Sequence, residues 1–122
     1  MAGSPLQTEE ELLLIKEAII LPIMIDELEQ GIHYMKHHYM KMAELYIDNL
    51  HRVQSIALSR LHMLKKELRT RQLKIIEMEQ DEYFLKATYL CRGYQHQMVL
   101  LWEVIYANIE LQLAAAFHIN LR

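Results

Sequence analysis

Between residues 46 and 68 apolar side chains return every three or four positions: Tyr46, Leu50, Val53, Ala57, Leu61, Leu64 and Leu68. That recurrence puts them on one face of a helix. Their mean spacing, about 3.7 residues, lies nearer an eleven-residue repeat than a heptad and predicts a nearly straight bundle helix. Upstream, "TEEELLLIKEAII" sets Thr8 three residues before Glu11, the capping-box spacing, and its acids at 9 to 11 complement the positive end of a helix. A helix is therefore expected to begin at 8. Pro22, which has no N–H to donate and crowds the preceding turn, predicts a kink, and Gly31 predicts a stop, so residues 8–30 read as one kinked unit.

From Ile32 to Arg92 there is no glycine or proline. An unbroken helix of that length would run roughly 90 Å at 1.5 Å per residue, too long for a small domain. The charges suggest where it breaks. Lys65, Lys66, Arg69, Arg71 and Lys74 are followed by Glu77, Glu79, Asp81 and Glu82, the order in which one helix C-terminus meets the next N-terminus. The break is placed within 69–78, where "LKII" is either helical or extended. Beyond it, helical periodicity is read through to Phe117, with a kink or short turn near Gly93. The expected fold is all-α: a single antiparallel bundle of three to four helices over residues 8–122, following a disordered segment 1–7.

Composition agrees with helices, since 122 residues include only three glycines and two prolines. The run "MVLLWEVIYANIELQLAAAF" at 98–117 is long enough for a membrane span. Glu103 and Glu110 oppose that, because a carboxylate at the bilayer centre costs roughly 2–3 kcal/mol. Separated by seven, they share a face, so an amphipathic packed helix is expected and no membrane span. Trp102 is assigned to the core or to a subunit interface. A net charge of -3 with acids and bases interspersed supplies no field to gather nucleic acid. The single cysteine, Cys91, excludes an internal disulfide, and the polar, acidic opening lacks a secretory signal, so a cytoplasmic location is expected.

Candidate chemistry concentrates in "HYMKHHYMKM" at 33–42. His33 and His37 are four apart, the helical spacing that lets two imidazoles reach one ion, and Glu44 extends that face. Downstream, Asp48 precedes His51 by three, the carboxylate-x-x-His step that di-iron bundles use twice; here it occurs once, and there is no Glu-x-x-His. His33, His37, Glu44, Asp48 and His51 are thus the candidate ligands of a divalent metal, set against the plainer reading of exposed helix residues beside a turn. Methionines 35, 40 and 42 offer soft donors to Cu(I), but eight methionines spread along the chain read better as adaptable core filler. The basic stretch from Arg60 to Lys74 lacks aromatics for stacking and any helix-turn-helix glycine turn, so it reads as a solvated face. Cys91 has Arg92 beside it and His96 five residues on, which permits a thiolate nucleophile on paper, although a lone cysteine in an apolar segment is more often core. No Gly-rich phosphate loop, G-x-S-x-G or H-E-x-x-H is present, and no enzymatic reaction is expected.

Three pieces, "AIILPIMIDELEQ", "KKELRTRQLKIIEMEQDEYF" and "YLCRGYQHQ", carry a resemblance to the YhjD-like family of small uncharacterised proteins from Bacillus-type spore formers. They span about 17 to 97 in order and do not include "HYMKHHYMKM". The resemblance implies a soluble bacterial protein and brings no activity, cofactor or site residues with it. The reading that results is a non-enzymatic protein acting through protein–protein contacts as a homodimer, whose apolar residues in 98–117 stay partly exposed until a partner covers them. The alternative is a metal-binding or sensory module using the histidine and carboxylate ligands.

Overall fold

A computed structural model describes residues 7–118. The expected disordered segment lies outside these residues except for Gln7, whose side chain accepts a hydrogen bond from the Tyr89 hydroxyl. Three helices and three strands follow in the order α1 (Glu9–His37), α2 (Ala43–Thr70), β1 (Leu73–Gln80), β2 (Phe84–Cys91), β3 (Tyr94–Leu101) and α3 (Trp102–Ala116). The class is α+β, which corrects the all-α helical-bundle expectation: a three-stranded antiparallel meander, in the order β1-β2-β3, spans 73–101, and its second and third strands occupy the stretch read as helix from 82 to 101.

α1 begins as its capping box requires. Thr8 Oγ1 accepts from Glu11 N–H at 3.0 Å while Glu11 Oε1 accepts from Thr8 N–H at 3.0 Å. The helix passes through Pro22, whose ring is exposed, and through Gly31, so the expected stop at Gly31 is not used. Ile15, Ile19 and Ile20 before the proline, each at most 1 % exposed, and Met24, Leu28 and Ile32 after it lock this helix into the core. α1 ends instead inside "HYMKHHYMKM", where residues 38–42 reverse the chain and Met42 takes a left-handed φ of 62°.

α2 buries Val53, Ala57, Leu64 and Leu68 from the predicted apolar row, with Leu50 and Leu61 packed against the same core and Tyr46 exposed. It stops at Thr70 because Gln72 turns left-handed (φ 59°) while Arg71 and Gln72 N–H bond back to the Glu67 and Arg69 carbonyls at 3.0 and 3.1 Å. The break therefore falls within 69–78, and "LKII" is extended.

Two turns make the sheet. At 81–83 Asp81 Oδ1 accepts from Tyr83 and Phe84 N–H at 2.8 and 2.9 Å, closing the β1–β2 connection. Between β2 and β3 only Arg92 and Gly93 intervene, with φ of 49° and 88°, the paired positive values of a tight hairpin turn. Of the two expectations at Gly93 the short turn is the one adopted, between two strands and not within a helix. Leu85, Ala87, Tyr89 and Cys91 alternate inward along β2, opposite Leu100, Met98, His96 and Tyr94. Lys74, Glu77, Glu79, Gln95, Gln97 and Val99 are exposed on the strands' other positions. One contiguous apolar cluster draws on all six elements, including Leu73 of β1, Leu100 of β3 and Ile105 and Ile109 of α3.

Candidate functional site

The metal candidates lie at the far end of the α1–α2 hairpin. His33 and His37 are exposed with ring centroids 4.1 Å apart, and His37 Nδ1 bonds the His33 carbonyl at 2.8 Å, while its other ring nitrogen has no hydrogen-bond partner among the described residues. His38 repeats the pattern one residue on, bonding the Tyr34 carbonyl at 2.9 Å and stacking on the Tyr34 ring. These side chains with Glu29 and Gln30 border an open concavity of about 440 Å³. Glu44, Asp48 and His51 lie beyond the turn, exposed on the first turns of α2. Among the described residues no three His, Cys, Asp or Glu side chains converge where one ion would sit. The structure therefore brings together the His33/His37 pair and not the five residues as a set.

Two of the six cations of the basic stretch, Arg60 and Arg71, are used within the fold. Arg60 grips Glu17 of α1 with two hydrogen bonds of 2.6 Å, and Arg71 reaches Glu10 at 2.9 Å. Both bridges fasten α2 to α1. Lys65, Lys66 and Arg69 remain exposed.

Cys91 is wholly buried in β2 and does not form a catalytic pair with His96, which lies opposite Tyr89 in β3. Burial pushes its thiol pKa up, against a smaller lowering by Arg92, so the group stays protonated at neutral pH. The neighbouring Arg92 has a structural partner that the sequence reading missed. From the hairpin tip its guanidinium donates to both oxygens of Glu11, at 2.6 and 3.1 Å, although the two residues are 81 positions apart. Glu11 is 4 % exposed and already holds the α1 cap, so one carboxylate joins the helix start to the hairpin tip. The Arg92 bond, ahead of the Thr8 N–H and the nearby positive charges, holds the Glu11 carboxyl below the usual carboxylate range despite its burial. Gln7 adds a second tie across the same junction, to Tyr89 and, at 3.4 Å, to His96. An arginine beside the single interior glycine turn was the only sequence signal for this clamp.

At the other end of the sheet Trp102 opens α3. Its backbone N–H donates to the Tyr83 carbonyl at 3.0 Å and its indole N–H to the Asp81 carbonyl at 2.8 Å. With Ile19, Pro22, Ile23, Met78 and Leu85 it borders an apolar groove of about 320 Å³. The apolar run 98–117 is thus divided between the end of β3 and α3, with Glu103 and Glu110 both exposed as expected of an amphipathic helix. No described helix is long and apolar enough to cross a membrane. Buried Ile105 and Ile109 leave Val104, Tyr106 and Leu111 outside, 42–63 % exposed, and Val99 and Leu101, just before α3 in the chain, are exposed to a similar degree.

This arrangement defines a small α+β protein in which ion pairs from Arg60, Arg71 and Arg92 tie its elements to α1 and which keeps large apolar residues exposed, among them a run along β3 and α3. The sequence model of the YhjD protein family matches residues 6–121, and the chain belongs to that family. No curated protein matches the chain. No solved structure matches it either.

Proposed function

We propose that this protein is non-enzymatic and acts through protein–protein contacts, first of all with a second copy of itself. The observation that carries this reading is the group of large apolar side chains left outside at the β3–α3 passage: Val99, Leu101, Val104, Tyr106 and Leu111. They are neighbours along one stretch of chain, and covering such a group releases water from it. The buried, protonated Cys91 fits a reducing compartment, and with the family resemblance it supports a place in the cytoplasm of a Bacillus-type spore former. Native mass spectrometry of untagged protein purified without chelator tests both subunit number and bound ions. A dimer is expected; a monomer at high concentration would sink self-association.

A second reading, a metal-binding or sensory module, is favoured by the proximity of the His33 and His37 rings on one helix face. Any ion there would take two imidazoles from this chain and its remaining ligands from Glu29, solvent or another copy. Calorimetric titration with Zn²⁺ should show one site per chain that disappears in the His33→Ala, His37→Ala double variant. Equal heats from both proteins would end this reading.

A further inference from the structure

We propose that two copies join along β3, pairing antiparallel about a two-fold axis into one continuous six-stranded sheet. This rests on the self-association reading above and names its surface. In a hairpin with a two-residue turn, Cys91 and Tyr94 exchange main-chain hydrogen bonds, and every second pair after them does so too. The Trp102 N–H bond to Tyr83 keeps that phase to the end of the strand. The even-numbered residues of β3 therefore turn their main-chain groups toward β2, and Gln95, Gln97, Val99 and Leu101 turn theirs outward. Among the described residues none of these four has a hydrogen-bond partner on that side, and all four side chains are exposed.

An open edge of this kind accepts only an extended chain, and soluble proteins usually blunt it with charge or a bulge. The molecule blunts its other edge in that way. β1 carries Lys74, Glu77 and Glu79 and has a register irregularity between Ile75 and Glu77. β3, "YQHQMVLL", has no Asp, Glu, Lys or Arg in eight residues and pairs without a register shift. A second copy is the occupant that fits. An antiparallel strand is complementary to itself about a two-fold axis, so one contact satisfies both open edges and closes the assembly. Set at Met98, that axis places Gln95 opposite Leu101 and Gln97 opposite Val99 of the other copy, with no like charges facing. The guarded β1 edges left at the ends of the six strands stop further addition.

The test uses the full chain, with light scattering and amide hydrogen exchange measured at rising protein concentration. The expected result is a dimer in which the Gln95, Gln97, Val99 and Leu101 amides become protected as the dimer forms. The Gln97→Lys, Val99→Lys double variant sets lysines opposite each other across the axis and should weaken the dimer at least about tenfold. Its melting behaviour when monomeric should remain close to that of the native monomer, because both side chains face solvent. A dimer whose four amides exchange equally fast at every concentration overturns the strand pairing and leaves self-association standing. A protein that stays monomeric overturns both.

Discussion

Glu11 is the residue on which most depends for its size. It closes the α1 cap, receives the Arg92 guanidinium and is almost fully buried. Its folded pKa lies below the ordinary carboxylate value, with Arg92 the leading cause. The stabilisation is therefore complete above the unfolded value, about 4.3, and is lost as pH falls through the lower folded value. Glu11→Gln should lower Tm at neutral pH and flatten the acid side of the Tm profile, the two proteins converging in acid. Parallel profiles would show that the carboxylate charge contributes nothing. Half of this site was legible: the Thr8–Glu11 spacing announced the cap. Arg92 was not, because 81 intervening residues carry no local pattern that pairs them.

For the elements, the helices announced themselves more clearly than the strands. Val53, Ala57, Leu64 and Leu68 follow the helical period over many turns, and a long period is hard to imitate. The strands are eight residues each, and more than half of their positions are Leu, Gln, Met, Lys or Glu, residues that favour helix when taken alone. Their signal was the alternation of Leu85, Ala87, Tyr89 and Cys91, followed by a two-residue turn ending in glycine. Gly93 at φ +88° has open space where a Cβ would stand, so its requirement is conformational and not steric. Gly93→Ala should cost about 1–2 kcal/mol in urea unfolding, the penalty of a left-handed residue with a side chain. No loss of stability would mean that the turn relaxes to another type.

In the molecule as a whole, one core cluster passes through every element, so helices and sheet should unfold together. Ile19, 1 % exposed in the middle of α1, tests this: Ile19→Ala should cost about 3 kcal/mol. Trp102 fluorescence, which reports the β3–α3 junction, should move with the far-UV helix signal. Two separated transitions would show that the sheet and α3 form an independent unit.

The sequence by itself determined the start of α1, the buried row of α2, the break before residue 73 and the amphipathic character of the segment holding Glu103 and Glu110, because each follows from neighbours a few residues apart. Tertiary structure decided that 73–101 is a sheet, that Gly93 is its turn, that Arg92 belongs to Glu11 and that β3 keeps an open edge. Short amphipathic segments have nearly equal local preference for strand and helix, and the choice falls to whichever lets Leu85, Ala87, Tyr89 and Cys91 bury together against Ile15 and Ile19.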